Sequence, residues 1–147
     1  MTGRIFSINI GRDKGKPKDV VSSASLKDDY GIEGDAHAGF GKRQVSLLAV
    51  EDIEAMKVAF PAIDLRPGIF AENITTSGVC LSRVEIGDKL GLGGEVVLRV
   101  EQIGKSCHSG CAIMKEAGCC IMPKKGIFAS VEKGGAIKPG DRIKILK

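Results

Sequence analysis

Aromatic residues are scarce in this sequence, which has no tryptophan and an aromatic fraction of 4%. Proteins that bind single-stranded nucleic acid use aromatic side chains as stacking platforms, so this shortage disfavours that class. The net charge of +4 is mild, and most lysines are spread along the chain. Such a charge is typical of a solvated basic surface, or of a site for a small anionic ligand. We therefore expect no nucleic-acid partner.

Long apolar runs are also missing, because no stretch reaches the about 18 apolar residues that a membrane-spanning helix needs. The residues Arg4–Ile10 alternate in polarity, as in a strand and unlike the apolar region of a signal peptide. Five cysteines, an odd number, fit poorly with a secreted disulfide framework. The sequence therefore predicts a cytoplasmic protein with reduced thiols and no membrane association.

No linker rich in proline or serine and no block of like charge divides the chain, so we expect one domain over residues 1–147. The 20 glycines predict many turns and short strands. The one clear helix is predicted over Glu51–Phe60, where apolar residues recur at spacings of three and four. Shorter helices are predicted over Cys107–Lys115 and Ile127–Glu132.

The predicted strands are Arg4–Ile10, Val20–Leu26, Gln44–Ala49, Ile69–Thr75, Lys89–Leu92, Glu95–Ile103 and Arg142–Leu146. Gly93 and Gly94 form a two-residue hairpin signal, and a Gly-Asp turn precedes a strand twice, at Gly87 and at Gly140. This pattern favours a mainly β fold, a closed or nearly closed β-barrel with a few short helices. A ferredoxin-like fold is the alternative, but it needs a second long helix.

No phosphate-binding loop, dinucleotide fingerprint, carboxylate pair or Ser/His/Asp spacing occurs in the sequence. Four cysteines do cluster, within fourteen residues: Cys107, Cys111, Cys119 and Cys120. They could be small buried apolar residues, as we expect for Cys80. They could instead bind zinc, although the adjacent second pair fits a tetrahedral site poorly. A thioredoxin-type redox pair is disfavoured by the spacing between Cys107 and Cys111.

A reactive thiolate is the third interpretation of the cluster, and it centres on Cys107. This cysteine follows a long predicted strand and begins a helical stretch, with Lys105 and His108 beside it. A helix N-terminus and nearby cations favour the thiolate form. Cys107 could then be a nucleophile, a soft metal ligand or a persulfide carrier.

A glycine-rich loop over Gly31–Gly41 carries the second group of polar residues. The loop and the residues just after it include Asp35, His37 and Arg43. It could be an ordinary surface turn. Together with Asn73, however, these residues suggest polar groups that converge on an anionic ligand.

Several segments, in order, resemble the MOSC domain, the C-terminal domain of molybdenum cofactor sulfurases, in a short stand-alone bacterial form. The matching segments are GIEGDAHAG (31–39), RQVSLL (43–48), PGIFAENITT (67–76), IGDKLGLG (86–93), GKSCH (104–108), GCCIMPKKGIFA (118–129) and GDRI (140–143). The resemblance covers nearly the whole chain, and it implies a β-barrel.

The resemblance also implies a site. Cys107 would bind molybdenum or carry sulfur, and Asn73 would lie near a molybdopterin-type cofactor. The remaining cofactor-binding residues that it implies are Asp35, His37, Arg43, Lys105, Ser106 and His108. The roles of Cys111, Cys119 and Cys120 stay unassigned, although one of them could resolve a persulfide on Cys107.

The function implied is a carrier that binds molybdenum cofactor, or sulfur on Cys107, and delivers it to a molybdoenzyme. The implied partners are a molybdoenzyme or a molybdenum-cofactor biosynthesis protein, and a cysteine desulfurase as sulfur source. The sequence shows no pyridoxal-phosphate site, so we expect no sulfur extraction by this chain. The alternatives are a molybdenum-dependent reductase of N-hydroxylated small molecules with an external electron donor, and a zinc-binding interaction module.

Overall fold

The computed structural model describes residues 2–13, 17–39, 41–104 and 126–146. The strands are β1 (Thr2–Ile10), β2 (Asp19–Val21), β3 (Ala24–Lys27), β4 (Gly31–Ile32), β5 (Val45–Ala49), β6 (Ile74–Ser77), β7 (Lys89–Leu92), β8 (Val96–Ile103), β9 (Ile127–Lys133), β10 (Gly135–Ile137) and β11 (Arg142–Leu146). The helix α1 spans Val50–Ala59, and a 3₁₀ turn spans Leu81–Arg83. The predicted helix over Cys107–Lys115 lies outside the described residues.

Seven strands close into a barrel, in the order β1, β11, β7, β8, β9, β5, β6 and back to β1. The neighbours β5 and β6 are parallel, and α1 lies in the connection between them, as parallel neighbours require a crossover. The strand β2 pairs with β1 outside the ring, and β10, β3 and β4 form a separate sheet. The prediction of a mainly β barrel is confirmed.

Alternate residues of the barrel strands fill the interior, as the two-residue period of a strand dictates. On β8, Val96, Leu98 and Val100 are buried in the barrel core, whereas Arg99 is exposed. The predicted hairpin of β7 and β8 is confirmed, with Leu92 opposite Val96.

A second, smaller core lies between the barrel wall and α1. The strand β5 is buried on both faces, because Leu47 points into the barrel core while Leu48 packs with Ile53 and Met56 of the helix. Phe128 of β9 joins the same outer cluster. This packing explains why the apolar period of α1 could be recognised in the sequence.

The two Gly-Asp turns have the same geometry. Gly87 and Gly140 adopt φ values of 95° and 94°. The carboxylates of Asp88 and Asp141 each accept a hydrogen bond from the backbone N–H three residues earlier, at 2.8 and 3.0 Å. The strands that follow, β7 and β11, pair with each other. The prediction of one turn type used twice is confirmed.

Three predicted elements were wrong or misplaced. The segment Ile127–Glu132, predicted as a helix, belongs to strand β9, because its apolar residues face two cores on opposite sides of the barrel wall. The predicted strand Val20–Leu26 is split between β2 and β3. The strand predicted from Ile69 begins only at Ile74, since the preceding residues form a turn.

Candidate functional site

A buried ammonium lies near the glycine-rich loop: that of Lys18, whose side chain has no exposed surface. Its Nζ lies 2.7 Å from Oδ1 of Asp35, which is equally buried, and 3.3 Å from Nδ1 of His37. Asp35 also accepts backbone hydrogen bonds from the N–H groups of His37 and Gly11, at 3.0 and 3.1 Å. The structure therefore brings two predicted site residues together around a lysine.

The pKa of Asp35 reflects this enclosure. Burial raises it, but the side chains of His37 and Lys18 and the backbone N–H groups of His37 and Gly11, all close to the carboxylate, outweigh burial. They hold the pKa of Asp35 well below its usual value of 3.8. Asp35 is therefore a buried, ionised carboxylate that is occupied by groups of the protein itself.

Lys18 is not among the residues predicted from the sequence. Nothing in its sequence neighbourhood distinguishes it from Lys14 or Lys16. Its burial depends on Asp35, seventeen positions further along the chain. A local signal for its role is therefore missing from the sequence.

Asn73 lies just before β6 and is fully buried. Its side-chain Oδ1 accepts from the backbone N–H of Ser46 at 3.0 Å and from its hydroxyl at 3.3 Å. Its Nδ2 donates to the backbone carbonyl of Asn9 at 3.2 Å. In this conformation the amide of Asn73 joins β5 to β1, and its role toward a cofactor stays a prediction.

A buried polar network surrounds Asn73, and no sequence motif indicates it. The side chain of Asn9 donates to the hydroxyl of Thr75 at 3.0 Å, and this hydroxyl donates to Oε2 of Glu72 at 2.8 Å. The N–H of Gly68 donates to the same oxygen at 3.0 Å. Burial raises the pKa of Glu72 above its usual value, and these hydrogen bonds only partly oppose burial. Among the described residues, Oε1 of Glu72 is buried without a hydrogen-bond partner.

The Lys18 cluster and the Glu72 network are joined through the backbone. The N–H of Lys18 donates to the carbonyl of Gly68 at 2.8 Å. Gly68 begins the turn that leads to Glu72, and it has a φ of 90°. Asp35 and Asn73, predicted from separate sequence motifs, therefore belong to one connected polar region.

Arg43 stands apart from this region. Its Nε donates to Oε1 of Gln102 at 3.1 Å, and its guanidinium lies 5.7 Å from the ring centroid of Phe128. The side chain of Gln102 donates in turn to the carbonyl of Gly104 at 2.7 Å. Over residues 17–39 and 41–104, no hydrogen bond or ion pair joins Arg43 to Asp35 or His37.

Cys107, the central residue of the prediction, lies outside the described residues, as do Lys105, Ser106 and His108 and the cysteines Cys111, Cys119 and Cys120. The described ends on either side of them meet, because the N–H of Gly104 donates to the carbonyl of Gly126 at 2.7 Å. Within the described ranges, no group of three or more His, Cys, Asp or Glu side chains could hold a metal ion. In the same ranges, no helix is long and apolar enough to cross a membrane.

A cavity of about 680 Å³ opens at this end of the barrel. Its lining includes Ile103 and Ile127, which flank Gly104 and Gly126, and the acidic residues Glu51 and Asp52 of the first turn of α1. Cys80 also lines it. Both ends of the segment that carries Cys107 therefore border one cavity.

Cys80 differs from the buried apolar residue that we expected, since it is only partly buried. Its Sγ lies 3.0 Å from the hydroxyl oxygen of Ser82. That hydrogen bond, aided by the backbone of Ser82 and the charge of Arg83, lowers the pKa of the Cys80 thiol against the opposing effect of burial. The structure therefore adds a second thiol, hydrogen-bonded to a hydroxyl, to the barrel end.

Comparison with protein families identifies the fold. A family model described as the MOSC domain matches residues 33–144 of the chain. A search of curated proteins found no match.

Solved structures resemble the chain over 99% of its length. The YUAD protein from Bacillus subtilis has a TM-score of 0.83 at 20% identity, with 96% of its chain covered. YiiM from Escherichia coli has a TM-score of 0.70 at 22% identity, with 70% covered. YiiM from Geobacillus stearothermophilus has a TM-score of 0.74 at 21% identity, with 75% covered. These similarities establish a shared fold.

Proposed function

The chain belongs to the MOSC domain family, and on that premise we propose that it binds a molybdopterin-type cofactor, or accepts sulfur on Cys107, and delivers either to a molybdoenzyme. The family is commonly linked to molybdenum-cofactor function. The proposed partners are a molybdoenzyme or a cofactor biosynthesis protein, with a cysteine desulfurase as sulfur source. The proposed location is the cytoplasm.

The observation that carries the proposal is the cavity at the barrel end. Ile103 and Ile127 line it, and they stand next to the backbone bond between Gly104 and Gly126. Cys107 follows Gly104 by three residues, so chain length alone keeps the two Cα atoms within about 11 Å. A space large enough for a small-molecule ligand is therefore within reach of the proposed sulfur ligand.

The described side chains fit an oxyanion at some predicted positions and not at others. Arg43 is exposed, and among the described residues only its Nε is hydrogen-bonded, so its terminal amino groups can bind a phosphate. His37 is partly exposed and can donate a hydrogen bond. Asp35 and Asn73 are buried and occupied by the protein, which suits a supporting role. Glu51 and Asp52 would disfavour a phosphate in the cavity itself.

The bound cofactor would supply redox-active metal for the client enzyme. The chain's own contributions would be a thiolate at Cys107, phosphate binding at Arg43 and the cavity that Ile103 and Ile127 border. In the sulfur-carrying form, the Cys107 thiolate attacks the outer sulfur of a donor persulfide. The donor's S–S bond breaks as a new one forms on Cys107, and the donor leaves as a thiolate, so no external oxidant is consumed.

The test is elemental analysis for molybdenum, tungsten and zinc on anaerobically purified protein, with Cys107→Ser and with Cys80→Ser, which removes the second thiol bordering the same cavity. We expect near-stoichiometric molybdenum or tungsten, or a mass increase of one sulfur atom, that is lost in Cys107→Ser and kept in Cys80→Ser. Equal loading of Cys107→Ser would contradict the proposal. Zinc retained in all three proteins, and loss of folding on chelation, would instead support the interaction module.

A further inference from the structure

The ammonium of Lys18 contacts both Asp35 and His37, and its contact with His37 bears on which imidazole nitrogen carries the proton. An ammonium group only donates hydrogen bonds, so the nitrogen that lies 3.3 Å from Nζ, the Nδ1 of His37, must accept. A neutral imidazole carries its single proton on the other nitrogen when one nitrogen accepts. The contact with Lys18 is therefore a hydrogen bond only when the proton is on Nε2.

We propose that Lys18 is a positioning residue that fixes His37 as the neutral Nε2–H tautomer, so that Nε2–H is offered as a hydrogen-bond donor to an oxyanion. The inference rests on the proposed function for the identity of that anion, a phosphate group of the cofactor. The Lys18 part depends only on the contacts inside the protein.

The other neutral tautomer of His37, with its proton on Nδ1, is less favourable in this geometry. Nδ1 of His37 lies 3.5 Å from Oδ2 of Asp35, and a proton on Nδ1 could be shared with that oxygen. The same proton would then face the Lys18 ammonium, which is closer and has no exposed surface. Asp35 Oδ2 already accepts the backbone N–H of His37 at 3.0 Å, which fixes the position of the residue without a side-chain bond.

Nε2 is the nitrogen left for a ligand. Among the described residues, no hydrogen bond to Nε2 is formed, and the side chain of His37 is 20% exposed. The cluster beneath it is rigidly held, since Asp35 accepts from two backbone N–H groups and Lys18 is tied to Gly68. A donor that is preset in this way binds an anion without the cost of ordering its side chain.

The chain offers a clean test because it has two histidines, His37 and His108. Long-range ¹H–¹⁵N spectra of the imidazoles, assigned with His108→Gln, report which nitrogen of His37 is protonated. We expect Nε2–H in the unmodified protein without any ligand. A proton on Nδ1, or on both nitrogens at neutral pH, would overturn the role of Lys18.

Substitution of the lysine gives the second readout. In Lys18→Met the Nδ1 proton is no longer opposed, so we expect the tautomer to shift toward Nδ1–H, donating to Asp35. The double variant Lys18→Met/Asp35→Asn removes both buried charges and serves if the single variant is poorly folded. In it we expect a mixture of tautomers, and an unchanged Nε2–H spectrum in a folded variant would count against Lys18.

Titration with inorganic phosphate tests the anion. We expect the Nε2–H resonance of His37 to shift, and binding to weaken about three- to tenfold in Lys18→Met, the loss of about one hydrogen bond. A fixed tautomer with no phosphate response would overturn the anion assignment alone. Neither the tautomer spectra nor the phosphate titration uses molybdenum or Cys107. A failure of this inference is therefore distinguishable from a failure of the proposed function.

Discussion

The backbone N–H of Lys18 donates to the carbonyl of Gly68 at 2.8 Å, which joins two loops that are fifty residues apart in sequence. One loop presents the Lys18 ammonium to Asp35, and the other leads to Glu72 and Asn73. Displacement of either loop would therefore disturb both groups of buried polar residues.

Gly68→Ala tests this junction. Gly68 has a φ of 90°, and a Cβ there would overlap the carbonyl oxygen of Lys18, which is backbone and cannot move aside. Gly34 has a similar φ of 87° with no atom within 4 Å of the added Cβ, so Gly34→Ala isolates the backbone strain. We expect Gly34→Ala to cost about 1 kcal/mol of unfolding free energy and Gly68→Ala at least about 1 kcal/mol more. Equal losses of unfolding free energy in the two variants, measured by urea denaturation, would refute the overlap with the Lys18 carbonyl oxygen.

Asp35→Asn should destabilise the protein by about 3–5 kcal/mol at neutral pH, because it leaves the buried Lys18 ammonium without an anion. The difference in unfolding free energy between the wild type and Asp35→Asn depends on pH. The pKa of Asp35 is lower in the folded state, so its contribution is complete above 3.8 and is lost as the pH falls below that value.

The control for Asp35 is Glu33→Gln, which breaks an exposed ion pair with Lys27 at 3.0 Å. We expect little change in unfolding free energy there, since solvent screens the pair. Urea denaturation of all three proteins across the acid range checks both statements. A small effect of Asp35→Asn would mean that Lys18 reaches solvent.

Glu72→Gln should have the opposite pH dependence. The pKa of Glu72 is raised in the folded state, so the fold favours its protonated form, and its contribution declines as the pH rises above 4.5. The amide cannot ionise, and it keeps an oxygen for Gly68 and Thr75. The variant should therefore gain about 1 kcal/mol over wild type at neutral pH and lose this gain in acid. If the unfolding free energies of the wild type and of Glu72→Gln stay parallel between about pH 4 and pH 8, the carboxyl of Glu72 does not titrate in that range.

Ser82→Ala should slow alkylation of Cys80 at neutral pH. The hydroxyl of Ser82 is the largest influence that lowers the pKa of this thiol, and its loss leaves less thiolate. Site-resolved mass spectrometry after iodoacetamide treatment measures the rate at each cysteine. The rate at Cys107 is the internal control, and an unchanged rate at Cys80 would refute the role of the hydroxyl.

The barrel was predictable because its signals are local. Alternation on β8 and the paired glycines before it specify a hairpin without reference to distant residues. The segment at Phe128 was misassigned for a physical reason: apolar residues on both faces remove the alternation that identifies a strand.

The site was less predictable, since its contacts join distant segments. Asp35 and Asn73 were selected from motifs, but the partners that bury them, Lys18 and Ser46, carry no local signal. Glu72 was overlooked because a carboxylate in a loop is ordinarily solvated, and only the tertiary structure shows that it is enclosed.

The closure of the barrel between β1 and β11 has a consequence during protein synthesis. Gly3 pairs with Ile143, so β1 leaves the ribosome long before β11, the strand that pairs with it on that side. A contact of such long sequence separation slows folding, because the entropy of closing a long loop must be lost before the contact forms. Until then the edge of β1 is open to strands of other molecules, and a nascent chain stalled before β11 would be prone to aggregate.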